Sequence, residues 1–120
     1  EPALNTFSED EAKLHDNINS YYIIDKKNIT MCTLANVLDS YLPLNTHIDF
    51  MSVDVEGLDL AVLKSNDWNK YRPSMLLVES LREDLDLINK NSIYTYLKDL
   101  GYHLVAKTYN TMFFNDEKTK

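Results

Sequence analysis

The stretch Ile48-Asp49-Phe50-Met51-Ser52-Val53-Asp54-Val55-Glu56-Gly57 decides the expected fold. Its apolar run predicts a strand, and because side chains alternate between the faces of a strand, Asp54 and Glu56 should point to the same side at its C-terminal end. Gly57 allows a sharp exit, since glycine adopts backbone angles that strain other residues. Residues 58–64 are strong helix formers. The two carboxylates are therefore predicted at a strand-to-helix corner, where open α/β sheets bind ligands.

Upstream of this corner the sequence predicts helical and β-prone segments. A Ser-x-x-Glu capping-box spacing predicts a short helix over residues 8–17. Residues 21–24 and 29–32 are β-prone runs separated by polar residues. Apolar residues then recur at helical spacing over residues 34–41, so a second helix is predicted there, and Pro43 ends it.

Downstream of the corner the pattern changes from parallel to antiparallel strands. Residues 48–54 and 75–79 are continuous apolar runs, which is typical of central parallel strands, and they should lie side by side. A helix is predicted between Ser92, as its N-terminal cap, and Gly101, which ends it. Residues 102–114 predict an antiparallel hairpin that continues the sheet. The expected fold class is therefore α/β.

Composition excludes several classes of function. The chain has 120 residues, enough for one domain or less, and a net charge of −7 with basic clusters only at Lys26-Lys27 and at residues 118–120. Nucleic-acid binders usually carry a basic stripe, so DNA and RNA are not expected as partners. No apolar run approaches the roughly 20 residues that span a bilayer, so no membrane partner is expected either. Cys32 is the single cysteine, which suits a reducing compartment and predicts a cytoplasmic protein.

The segment Ile48–Glu79 also carries a family pattern. It combines an apolar strand, Asp-x-Glu-Gly, a helix with Val-Leu-Lys, an Arg-Pro pair and a second apolar strand that ends in Glu. Over nearly the whole chain, this order resembles FkbM-type S-adenosylmethionine-dependent methyltransferases. The flanking pieces that share the resemblance are Leu4–Ser8, Thr33-Leu34, Gly101-Tyr102 and Asn110.

The resemblance implies a fold and a domain organisation. The chain would be the C-terminal half of a doubly wound, mostly parallel Rossmann-like methyltransferase sheet that ends in an antiparallel hairpin. Such enzymes hold the cofactor with a glycine-rich loop, whereas this chain has two glycines, Gly57 and Gly101, and no Gly-x-Gly. We therefore expect a single partial domain, with an N-terminal helix and connecting segments over 1–47, strand-helix-strand-helix-hairpin over 48–115, and a frayed tail over 116–120.

The resemblance also implies an activity. The complete enzyme would use S-adenosylmethionine, most simply for O-methylation of a small molecule or sugar, and the 120 residues alone should not bind this cofactor tightly. An alternative from another class is a non-catalytic interaction or structural module. A first strand without a neighbour would expose an unpaired edge, and such an edge favours self-association.

Asp54 and Glu56 are the candidate catalytic residues. One of them could act as a general base on a substrate hydroxyl, both could bind a divalent cation, or they could position the cofactor. Alternatively, they cap the backbone N–H groups of the following helix. Glu79 is a candidate for substrate binding and would complete a three-carboxylate cluster in which like charges raise at least one pKa. Its alternative is an ion pair with Arg72 or Arg82.

Asn5 and Thr6 are candidate cofactor-binding residues, because they match a short polar motif of the family. The alternative is an ordinary turn in which the Asn side chain bonds its own backbone. The histidines are scattered without metal-ligand spacing, so no metal site is predicted from them, although a cation bound by carboxylates remains an alternative.

Overall fold

The computed structural model describes residues 6–18, 21–80 and 85–119. The chain forms four α-helices and four strands within these residues. The helices are α1 (Glu9–His15), α2 (Leu34–Tyr41), α3 (Asp59–Lys64) and α4 (Ser92–Asp99). The strands are β1 (Phe50–Val53), β2 (Met75–Glu79), β3 (Tyr102–Lys107) and β4 (Thr111–Asp116). Two 3₁₀ helices, Leu85–Lys90 and Glu117–Thr119, complete the regular structure.

The strands form one mixed sheet in the order β1-β2-β4-β3. β1 and β2 are parallel, with Val53 beside Val78. β4 returns antiparallel along β2 and also pairs with β3 in a hairpin. The predicted parallel pair and the hairpin that continues the sheet are therefore confirmed. Because β1 and β2 run in the same direction, their carboxyl ends reach the same edge of the sheet.

The core lies on one face of this sheet. Buried and partly exposed residues alternate along β2 and β4, as expected for strands with one covered face. The buried side chains of the sheet pack with Leu63 of α3 and Leu97 of α4. The sheet residues in this core are Val53, Leu76, Val78, Tyr102, Met112 and Phe114.

Three local predictions differ from the structure. The β-prone runs 21–24 and 29–32 form neither helix nor strand, because β-propensity is expressed only where a neighbouring strand can pair and pack. The cap of α4 is Asn91 rather than Ser92, and its side chain accepts the Tyr94 N–H at 2.8 Å. The expected frayed tail over 116–120 also differs, since β4 includes Asp116 and a 3₁₀ helix follows over Glu117–Thr119.

The extension of β4 has a physical reason in a buried ion pair. The Asp116 carboxylate accepts two hydrogen bonds from Arg72, from Nε at 2.8 Å and from Nη2 at 2.7 Å. Nη2 also donates to the carbonyl of Leu100, and the guanidinium lies 4.8 Å from the ring centroid of Tyr102. Arg72 therefore ties β4 to the end of α4. Consequently, the alternative that Arg72 pairs with Glu79 is wrong, and Arg82 lies outside the described residues.

Candidate active site

The corner after β1 has an unusual backbone. Glu56 and Gly57 both adopt positive φ angles, 51° and 94°, although only glycine does so without strain. The buried carboxylate of Asp59 lies beneath them. Its Oδ1 accepts the N–H of Val55 and its Oδ2 accepts the N–H of Gly57, each at 3.2 Å. The Asp59 side chain thus hydrogen-bonds to the backbone on both sides of Glu56 and fixes the corner.

The alternative role for Asp54 and Glu56 is to cap the N-terminus of the following helix, α3. α3 begins after Leu58, which makes no side-chain capping hydrogen bond. The carboxylate that binds backbone N–H groups at this corner belongs to Asp59, and it binds those of the preceding loop. Asp54 and Glu56 are exposed, so their carboxylates face the solvent side of the corner.

Glu79 lies beside Asp54 at the same edge. The pairing of Val53 with Val78 places the next residues, Asp54 and Glu79, side by side where the parallel strands end. Partial burial raises the pKa of Glu79, and the negative charges of Asp54, Glu56 and Asp59 raise it further. A hydrogen bond between the Asp54 and Glu79 side chains acts in the same direction. The parallel strands thus bring Asp54 and Glu79 together at one edge, and the catalytic and substrate-binding roles of these carboxylates stay predictions.

Polar contacts hold the end of β2 behind Glu79. The N–H of Ser80 donates to the carbonyl of Asn110 at 2.7 Å, and the Asn91 side chain donates to the Ser80 hydroxyl at 3.1 Å. The Lys107 ammonium lies near the Ser80 carbonyl and donates to the carbonyls of Thr108 and Tyr109. The β3–β4 turn and the cap of α4 therefore both fix the strand end that carries Glu79.

A protein-family model covers the region that contains the carboxylate corner. The model of a family described as the methyltransferase FkbM domain matches residues 2–104. The chain belongs to the FkbM methyltransferase family. Comparisons with curated proteins and with solved structures gave no match. The matched residues of the FkbM domain include β1, the carboxylate corner, α3 and β2.

The remaining candidate residues of the FkbM domain are Asn5 and Thr6, near its N-terminal end. Asn5 lies outside the described residues. Thr6 is half-buried, and its hydroxyl accepts the Ser8 N–H at 3.1 Å in a local turn. Asp59 was missed by the sequence reasoning. Its spacing after Asp-x-Glu-Gly was the available signal, but an acidic residue in the first turn of a helix is common without any further role.

The described residues of the FkbM domain do not supply a cradle for S-adenosylmethionine. Gly101 follows α4 with a φ of 86°, and Gly57 belongs to the corner after β1. Neither glycine is therefore part of a glycine-rich loop that could bind the cofactor. One cavity of about 220 Å³ opens beside the N-terminal end of β3. Because β3 runs parallel to β2, this cavity lies away from the carboxylate edge. Its lining residues are Ile88, Tyr94, Lys98, Tyr102, His103 and Leu104.

The described residues contain neither a metal-binding cluster nor a membrane-spanning helix. Among them, no group of three or more His, Cys, Asp or Glu side chains is arranged to hold a metal ion. No helix among the same residues is long and apolar enough to cross a bilayer.

Proposed function

We propose that this chain belongs to an S-adenosylmethionine-dependent methyltransferase that methylates a hydroxyl oxygen of a small molecule or sugar. In this proposal the Asp54–Glu79 pair, with Glu56 beside it, forms the acceptor side of the active site. The single observation that carries it is the parallel register, which places the carboxyl side chains of Asp54 and Glu79 next to each other at the carboxyl ends of β1 and β2. This edge is where α/β sheets place their ligands.

The pair has the properties of a general base. The raised pKa of Glu79 makes this residue a stronger base than an ordinary glutamate once its proton has left. A hydroxyl that donates to Glu79 becomes a better nucleophile as its proton moves to the carboxylate. The bound cofactor would supply an electrophilic methyl group to that oxygen. Asp54 would orient Glu79, and Glu56 would accept a further substrate hydrogen bond.

The charge of the cluster restricts the acceptor. Asp54, Glu56, Asp59 and Glu79 concentrate negative charge at one edge, and their mutual influence is visible in the raised pKa of Glu79. A phosphate or nucleic-acid acceptor would meet this field with like charge. Neutral hydroxyl groups donate hydrogen bonds to carboxylates at no such cost. This argument favours a neutral polyhydroxy compound such as a sugar over nucleic acid.

The cofactor would be held mainly by residues outside these 120, because the described residues supply no glycine-rich cradle. The N-terminal motif Asn5-Thr6 stays a proposal for a cofactor contact. With the single exposed Cys32, a reducing, cytoplasmic location is part of the same proposal.

The proposed function predicts a specific pH dependence. For the full chain that the gene encodes, methyl transfer to sugar hydroxyls should increase with pH along one ionisation, with a midpoint above the ordinary glutamate value of 4.5. Asp54→Asn should move that midpoint to lower pH, because it removes a negative neighbour that raises the pKa of Glu79. The measurement is kcat/KM for transfer of a labelled methyl group as a function of pH. No transfer to any hydroxyl acceptor, or an unmoved midpoint, would contradict the assignment.

A second candidate function, self-association as an interaction module, is favoured by the position of β1. This strand lies at one edge of the four-stranded sheet, and Phe50 on it is 65% exposed. Residues 1–120 are expected to form dimers with increasing concentration through this edge, and Phe50→Lys should reduce the dimer fraction. Leu44→Lys, at a residue that is 88% exposed in a loop, is the matched control and should change nothing. Sedimentation velocity would measure this, and a monomer at all concentrations would exclude this candidate.

A further inference from the structure

The conformation of Glu56 needs an explanation. A glutamate with a φ of 51° is uncommon, because the left-handed region crowds the Cβ of every residue except glycine. Gly57 follows with a φ of 94°, so two consecutive residues leave the ordinary regions of the backbone map. Such strain persists where the surroundings hold it, and it is concentrated at functional sites.

Asp59 holds this conformation. The residue is 5% exposed, and its two carboxylate oxygens accept the N–H groups of Val55 and Gly57, which are the residues on either side of Glu56. The Leu58 N–H also donates to the Val55 carbonyl at 3.2 Å, which closes the same turn. A buried carboxylate that accepts two backbone N–H bonds is satisfied in the folded chain, and its charge acts on the neighbouring Glu79.

We infer that Asp59 is a positioning residue that holds the 54–57 corner so that Asp54 and Glu56 lie beside Glu79. The inference rests on the proposed function of that cluster. The geometry distinguishes Asp59 from an ordinary residue of a helix start. A carboxylate in the first turn usually serves the helix that contains it. Asp59 instead binds the loop that precedes α3, and this loop carries both predicted catalytic residues.

Asp59→Asn is the test variant in the full chain that the gene encodes. It keeps the shape of the side chain but replaces one acceptor oxygen with an NH₂ group, which faces a backbone N–H and cannot bind it. We expect kcat to fall by ~10²-fold, because a small displacement of catalytic groups costs about that much. KM should change much less. The acid limb of the pH profile should also move to lower pH, because one of the charges that raise the pKa of Glu79 is removed.

The control is Asp67→Asn. Asp67 also accepts a backbone N–H in a turn, that of Asn69 at 3.0 Å, but it lies beyond the far end of α3. This variant should keep the parent kcat and pH profile. If Asp59→Asn does not fold, Asp59→Ser replaces it, since serine is accepted at helix starts and its hydroxyl can bind one of the two N–H groups. The same fall in kcat is expected.

Amide hydrogen exchange separates this inference from the proposed function. The Val55 and Gly57 amides should exchange faster in Asp59→Asn than in the parent, in step with the loss of kcat. Unchanged exchange, or a lower melting temperature with kcat and the pH profile unmoved, would overturn the positioning role. Failure of the proposed function has a different signature, in which Asp54→Asn and Glu79→Gln keep full turnover whatever Asp59→Asn does.

Discussion

Glu79→Gln is expected to lower the turnover of the full-length methyltransferase by ~10²–10⁴-fold, which is the usual cost of losing a positioned general base. Glutamine keeps the size of the side chain and can still hydrogen-bond to Asp54, but it cannot accept a proton from a substrate hydroxyl. The fold should survive, because Glu79 is only partly buried at the end of β2. The measurement is kcat for methyl transfer with a sugar acceptor, with circular dichroism as a check of folding.

Three companion variants sharpen this result. Asp54→Asn should also lower turnover, and Glu56→Gln should lower it through the loss of a substrate hydrogen bond. Asp49→Asn is the matched control, because its side chain is 92% exposed and lies at the opposite end of the same strand run. It should keep parent turnover. Full activity in all of the variants at Asp54, Glu56 and Glu79 would mean that the cluster is not catalytic.

Glu79→Gln should also increase the stability of the fold near neutral pH. The pKa of Glu79 is raised in the folded chain, so the folded state binds its proton more tightly than the unfolded state. Stability from this group is therefore fully present below the ordinary value of 4.5 and is lost as the pH rises through the raised pKa. Glutamine carries no charge that partial burial and the neighbouring carboxylates would destabilise. The variant should therefore unfold at a higher urea concentration than the parent near neutral pH and show no advantage in acid. An opposite sign would contradict the raised pKa.

The predictions that succeeded depend on local patterns. The apolar run at residues 75–79 formed β2 with the predicted bounds, and the run at 48–54 formed the shorter β1 beside it. Continuous apolar character identifies a buried parallel strand, and parallel pairing brings carboxyl ends together. The proximity of Asp54 and Glu79 could therefore be predicted from the two apolar runs and their parallel pairing.

The predictions that failed depend on contacts between distant residues. Asp59 can bind the corner only because the positive φ angles of Glu56 and Gly57 bring the N–H groups of Val55 and Gly57 toward it, and no propensity encodes that backbone path. Asp116 belongs to a strand rather than a tail because Arg72 lies 44 residues earlier and reaches it across the sheet. The β-prone runs 21–24 and 29–32 lacked a partner strand, and tertiary context overrode their preference.

The buried pair of Arg72 and Asp116 gives the largest expected effect on stability. The Arg72 and Asp116 side chains are 19% and 2% exposed, and the hydrogen bond to Asp116 raises the pKa of the Arg72 guanidinium, which remains charged. Asp116→Ala leaves the guanidinium without its carboxylate in a largely dry site. The expected loss in free energy of unfolding is about 3–5 kcal/mol, the usual cost of breaking a buried pair by removing one partner. Urea denaturation would measure it.

The neighbouring ion pair supplies the control for this prediction. Glu117 pairs with His103 on the surface, and its side chain is 49% exposed, so Glu117→Ala should cost no more than about 1 kcal/mol. A double variant, Arg72→Met with Asp116→Leu, should recover much of the loss, because no charge is then left unpaired. The arginine of the Arg-Pro pair in the family pattern stabilises the fold, since Arg72 binds Asp116 and the Leu100 carbonyl. Turnover per folded molecule should accordingly be unchanged in the double variant, and a selective loss of turnover there would return Arg72 to the active site.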